Sequence, residues 1–220
     1  MIFYRVDDIG IEAAHDLALL ESLELRGVPY IAAVIPMRLS VPMARRLREY
    51  RYATIFQHGV THISTARHLE RDEFPDNVRS AREQLADGRA RLENMIGCAV
   101  TGYAPPWNRV SASTLRLLED LGFRWLSGHV RNHYLTTMLQ VSVSVDPIRR
   151  YYPLSFYNIN EVLLSLMLSV PLFNRVGIVF HPGWCPPAHL GLMVKLIRCT
   201  APLSYSMRAW QHHLESHQSQ

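Results

Sequence analysis

Short apolar runs alternate with longer mixed stretches along this chain. Residues 2–6, "IFYRV", predict a buried strand. "IEAAHDLALLESLELRG" carries apolar residues at helical spacing and stops on Gly27, as a helix ended by glycine does. "PYIAAVIP" predicts a second strand, "VPMARRLREY" a helix, and "YATIFQHG" a third strand. A long amphipathic helix is predicted from Asp76 to Ile96, closed by Gly97. "AVTGYAP" is strand-like, and "SASTLRLLEDLGF" opens on a serine N-cap and ends at Gly122. "RWLSG" and "LQVSVSVDP" predict further strands, the second alternating Val and Ser with period two. "NINEVLLSLMLSV" predicts a helix, "RVGIVFHPG" a strand, and Ala188 to Cys199 a last helix before a polar tail at about 212–220.

Strand–helix alternation repeated about seven times implies a parallel sheet, closed as a barrel or open and doubly wound. No G-x-G-x-x-G follows the first strand and no G-x-x-x-x-G-K-[ST] occurs, which lowers dinucleotide and P-loop readings. The segment Thr61 to Pro75 is long for a connection, and loops of that length are often functional.

Composition narrows the classes. The 220 residues are 48% hydrophobic and 19% charged, enough for one core, and a single domain over 1–220 is expected. The net charge is +4, yet "ARRLREYR" and "RSAREQLADGRAR" read as solvated helix faces, so nucleic acid is not an expected partner. Cys98, Cys185 and Cys199 are odd in number and widely spaced, which excludes a disulfide framework and a C-x-x-C zinc knuckle. Met1 leads directly into the first strand, and the longest apolar run, "VLLSLMLSVPLF", is short and holds Pro171. A cytoplasmic protein is expected, with peripheral membrane contact left open and the oligomeric state unread.

In parallel α/β folds, active sites form at the carboxyl ends of the strands. Asp7 and Asp8 follow the first strand, His58 and His62 the third, and "APPWN" the fourth; Asp146 follows "LQVSVSV" and His181 follows "RVGIVF". Two histidines plus one carboxylate make a common open divalent-metal site. The pairs His129/His133 and His213/His217 share the four-residue spacing, but the first lacks a strand-end acid and is read as surface or substrate rim.

These motifs resemble the polysaccharide deacetylase family (carbohydrate esterase family 4, the NodB homology domain). "RVDDIG" is similar to its T-F-D-D-G motif, "HGVTH" to H-[ST]-x-x-H with Gly59 in place of Ser/Thr, "APPWN" to R-x-P-[YF]-G, and "IVFH" to the closing L-x-H. Order and spacing agree from residue 3 to 184. The resemblance implies a distorted (β/α)7 barrel and a metal-dependent hydrolase that removes an N-acyl group, foremost N-acetyl, from an amino sugar by way of a metal-activated water. It implies metal ligands Asp8, His58 and His62, with zinc foremost and cobalt, nickel, manganese or iron as alternatives. It implies Asp7 as general base, His181 as general acid, and Pro106, Trp107 and Asn108 as the substrate and oxyanion turn. The substrate would be a small-molecule or lipid-linked amino sugar. Other readings are a C–N hydrolase acting on a non-sugar amide and a non-catalytic carbohydrate-binding relative.

One departure stands out. The family's third motif carries an arginine that orients the catalytic aspartate, and Ala104 occupies that position here. Arg109 and Arg5 are the nearest substitutes. Asp146 is a candidate partner for His181, since an acceptor carboxylate orients an imidazole and raises its pKa.

Overall fold

The computed structural model describes residues 1–11, 13–64, 73–74, 78–132, 134–151, 154–169, 175–184, 186–205 and 209. His133, Cys185, residues 65–72 and 75 of the long loop, and the tail at 212–220 lie outside them. The elements begin β1 (Ile2–Ile9), α1 (Ala14–Glu24), β2 (Tyr30–Val34), α2 (Val41–Glu49), β3 (Ala53–Gln57), α3 (Val78–Ile96), β4 (Gly102–Tyr103) and α4 (Ala112–Asp120). They continue β5 (Trp125–Leu126), β6 (Leu139–Gln140), β7 (Val143–Val145), β8 (Ile148–Tyr151), β9 (Leu154–Phe156), α5 (Ile159–Ser169), β10 (Val176–Phe180) and α6 (Pro187–Thr200).

The main sheet has the order β6-β5-β4-β3-β2-β1-β10-β7, and its paired strands run parallel. Its two outermost members are successive pieces of one stretch, Leu139 to Val145. Val141 N–H donates to Leu126 O and Val143 N–H to Gly128 O, while Gly177 pairs with Val143 on the other side. The stretch predicted as a single strand is therefore divided in two, and it joins both edges of the sheet. The sheet curls onto itself as the expected distorted (β/α)7 barrel.

Period-two alternation sorts the side chains. Tyr4, Val6, Tyr30, Ala32, Val34, Ile178 and Phe180 point outward and pack under the helices. Phe3, Ile31, Ala33, Phe56, Ala104, Trp125, Val143 and Val179 form a second, internal cluster that fills the barrel. Ser40 caps α2 by accepting from Met43 N–H, and Ser111 caps α4 by accepting from Thr114 N–H.

The antiparallel hairpin β8–β9 was not expected from the sequence. Among the described residues no helix is long and apolar enough to cross a membrane.

Candidate functional site

Asp7 and Asp8 are adjacent, so a regular strand would send them to opposite faces. The register of β1 against β2 slips between Val6 and Ile9, and Asp8 takes a left-handed backbone with φ 65°. This local bulge turns both carboxylates to the same end of the barrel. The four described non-glycine residues with positive φ are Asp8, His62, Trp107 and Asn108, all of them in or beside this site. Such concentrated backbone strain persists only where the surroundings enforce it.

Asp8 Oδ1 lies 3.4 Å from His58 Nε2 and 3.2 Å from His62 Nε2. One ligand atom from each of the three residues falls within 4.8 Å of the others. His58 Nδ1 sits 2.8 Å from the Ala104 carbonyl, so Nδ1 carries the proton and donates, leaving the Nε2 lone pair for the site. Asp8 Oδ1 is buried and has no hydrogen-bond partner. A two-nitrogen, one-oxygen donor set with an oriented histidine and an unsatisfied buried carboxylate oxygen fits a divalent metal.

The electrostatics agree with that donor set. Burial alone would raise the Asp8 carboxyl, but the imidazoles of His181 and His58 hold it well below the usual carboxylate range. Burial, reinforced by the charge of His58, pushes His62 down to about 4, so it stands neutral at physiological pH. For His58 burial is outweighed by the carboxylates of Asp7 and Asp8, which raise its pKa. Ligation requires neutral imidazoles, so cation binding here is linked to loss of the His58 proton.

Asp7 is held differently. Arg5 Nε donates to Asp7 Oδ1 at 2.8 Å and Arg5 Nη2 to Oδ2 at 2.8 Å, a bidentate pair with both side chains buried. Arg5 stands two residues before Asp7 on the same strand and shares its face. Its remaining donors go to the Ser127 carbonyl and hydroxyl and, at 2.6 Å, to Asn108 Oδ1. Asn108 is fixed in turn, its carbonyl accepting from Tyr134 O–H at 2.6 Å and from Asn132 Nδ2. The guanidinium at Asp7 is thus Arg5. Arg109 is exposed and does not reach it, because the chain turns outward after Asn108. Ala104, where the family places its arginine, packs in the internal cluster, and its carbonyl orients His58.

His181 Nδ1 faces Asp8 Oδ2 at 3.6 Å and Asp7 Oδ2 at 3.9 Å, while Nε2 faces Asp146 Oδ2 at 3.5 Å. Burial opposes its charge, yet Asp146, Asp8 and Asp7 together hold its pKa well above the ordinary imidazole value. Asp146 Oδ1 accepts from Ile148 N–H at 2.8 Å, which anchors it.

The loop that carries the histidines is tied by a residue without a sequence signal. Glu73 accepts from the N–H groups of Val60, Thr61 and His62 and from the Thr61 hydroxyl. Gly59 has φ 58°, and a Cβ there would lie 1.9 Å from Glu73 Oε2 and 2.6 Å from Pro106 Cγ. The family's Ser/Thr therefore has no room in this chain, and a carboxylate from the long loop takes the adjoining space. The Trp107 ring lies against His62 with centroids 4.6 Å apart. His129, half-buried, accepts from Arg131 N–H and stands apart from the metal set.

A groove of about 610 Å³ opens over this end of the barrel, lined in part by Asp8, His62, Trp107, Asp16 and Arg38. Asp16 was not singled out from the sequence. Burial and then the Asp8 charge push its carboxyl up to about 7.

No protein-family model and no curated protein sequence matches the chain. Solved structures do. A peptidoglycan deacetylase from Bacillus subtilis superposes with TM-score 0.60 at 16% identity, over 93% of this chain and 85% of that one. A family 4 acetyl xylan esterase from Clostridium thermocellum, solved with a cobalt ion, gives TM-score 0.60 at 15% identity, over 92% and 84%. The chain has the fold of the family 4 carbohydrate esterases. A family 4 pseudoenzyme from Bacillus anthracis shares it too, with TM-score 0.64 at 13% identity over 94% of this chain and 62% of that one. A mutant of that pseudoenzyme with restored enzymatic activity gives TM-score 0.65. The family 4 fold therefore hosts active and inactive sites, and the residues in the site carry the distinction.

Proposed function

We propose that the chain is a metal-dependent carbohydrate N-deacetylase, hydrolysing the N-acetyl group of an amino sugar or sugar conjugate. The observation that carries this reading is the pairing of two differently held carboxylates. Asp8 is open toward His58 and His62, whereas Asp7 is locked by Arg5 and stays beside them. When bound by Asp8, His58 and His62, a divalent cation supplies Lewis-acid polarisation and makes water acidic enough to act as a nucleophile near neutral pH. Zinc suits the set, and the cobalt ion in the Clostridium thermocellum esterase supports a transition metal of that kind.

The protein's own groups divide the proton transfers. Each Asp7 oxygen gives one lone pair to Arg5 and keeps another for a water proton, as a general base requires. His181, protonated through Asp146, Asp8 and Asp7, gives its proton to the leaving amine. The Trp107 N–H makes no hydrogen bond among the described residues and is available to a developing oxyanion. The indole beside His62 offers a face for a sugar ring.

A second reading, a non-catalytic sugar-binding relative, draws on the Bacillus anthracis pseudoenzyme and on Ala104 in place of the family's arginine. Arg5 answers the second point, since it supplies the guanidinium to Asp7 from another position. The deciding test is acetate release from a panel of N-acetylated amino sugars and lipid-linked conjugates. Metal-loaded protein is compared with EDTA-stripped protein, with metal content measured in parallel. Stripped protein that takes up no equivalent of zinc, cobalt or manganese would refute the metalloenzyme reading. Uptake without acetate release from any substrate would favour the binding relative.

A further inference from the structure

Two groups that line the groove have no role in the proton transfers above. Asp16, in the first turn of α1, is only 4% exposed, and its carboxyl makes no hydrogen bond or ion pair among the described residues. The residue is buried but its carboxyl oxygens open onto the groove, where their hydration is reduced and a ligand hydroxyl can take the place of water. Arg38, in the turn after β2, lines the same groove with an exposed guanidinium that likewise has no hydrogen bond or ion pair. A Cβ on Gly10 would lie 2.7 Å from Arg38 Cβ, so glycine at this position lets the turns after β1 and β2 close together. Arg38 is thereby brought near enough for its charge to act on His62.

A guanidinium and a carboxyl that share one groove without pairing with each other leave a donor fork and an acceptor for a third party. We infer that Asp16 and Arg38 form a recognition subsite for an anionic N-acylated substrate. Arg38 donates to a phosphate or carboxylate oxygen, and Asp16 accepts from a hydroxyl of the same molecule. This rests on the deacetylase reading for the identity of the N-acyl group, and it narrows the substrate class to charged amino sugars over neutral polymer. A planar guanidinium suits both anions, because each presents two oxygens to its fork.

The test uses the metal-loaded full chain and three probes: neutral N-acetylglucosamine, N-acetylglucosamine 1-phosphate, and N-acetylmuramic acid as the carboxylate arm. Binding is measured by calorimetry at low ionic strength and acetate release is followed separately. At least one anionic probe is expected to bind roughly tenfold or more tightly than the neutral one, the size of a single charge-assisted contact. The preference collapses to about twofold or less in Arg38→Gln, and Asp16→Asn weakens all three probes. The preferred arm tells phosphate from carboxylate. Equal affinity for the three probes, or a charge preference that survives Arg38→Gln, overturns the subsite. Arg38-dependent binding without acetate release leaves the subsite standing and removes the deacetylase reading. Acetate release without charge preference does the reverse.

Discussion

Arg5→Ala is the sharpest perturbation of this site. Arg5 is fully buried, and its guanidinium makes two bonds to Asp7, two to Ser127 and one to Asn108. Its removal leaves the Asp7 carboxylate, 1% exposed, with the His181 imidazole 3.9 Å away as its nearest cation. Breaking a buried pair from one side costs about 3–5 kcal/mol. For a chain of this size that lowers Tm by roughly 6–20 °C. Because most of the cost is the orphaned charge, removing Asp7 as well should recover part of it. The assay is a double-mutant cycle of Arg5→Ala, Asp7→Ala and the double variant, read from denaturant midpoints of metal-free protein at neutral pH. A coupling of about 2 kcal/mol is expected, within the range for residues that share a buried network. Arg5→Lys keeps the charge but loses the fork, and should fall between wild type and Arg5→Ala. A coupling below about 0.5 kcal/mol, as for independent sites, would show that Arg5 does not hold Asp7 and that the missing family arginine has no replacement.

Five further outcomes are expected. Asp8→Ala or His62→Ala should abolish stoichiometric binding of zinc or cobalt. Asp7→Asn should keep the metal and lose roughly 10²–10⁴-fold in turnover, the scale of a general base; loss of metal in Asp7→Asn would reverse the assigned roles. Glu73→Gln should weaken metal affinity by about 10–100-fold, as lost outer-shell support does, measured by chelator competition on protein whose circular dichroism is unchanged; an unchanged affinity would reduce Glu73 to a loop anchor. Cation affinity should rise with pH, because His58 must lose the proton that Asp7 and Asp8 keep on it, and a flat profile by calorimetry counts against this coupling. The last outcome concerns Asp16, which is at about 7 when folded against an ordinary 3.8. Its folded form binds more protons between those values, so its stabilising contribution is present below about pH 4 and lost as pH rises to 7. The stability of Asp16→Asn relative to wild type should therefore grow over that window in metal-free protein, and a constant difference in denaturant midpoint contradicts the burial.

Some of this protein was fixed by local rules alone. Alternation of apolar runs with helical periodicity marks the βα order, because burial on a parallel sheet demands it. Short motifs placed His58, His62 and His181 after strands, and Asp7 and Asp8, expected just beyond the first strand, lie in its last residues because β1 runs on to Ile9; all five fall at one end of the barrel. Arg5 was half legible. Its offset of two from Asp7 puts it on the same strand face, but one strand cannot show that Ser127 and Asn108 close around it. The closure of the barrel on Leu139–Val145 was out of reach, since partners on both sides of one stretch depend on curvature, which no period in the sequence encodes. Nor could sequence separate Asp7 from Asp8 in orientation. The bulge and the left-handed backbone at Asp8 exist because neighbouring strands and histidines hold them there. Glu73 and Asp16 carry no pattern, and their positions were set by how the long loop and the start of α1 fold over the strand ends. The sequence determined which chemical groups this end of the barrel would hold. Only the tertiary structure decided which are bound, which are oriented, and which are left facing the groove, because those depend on distances between segments far apart in the chain.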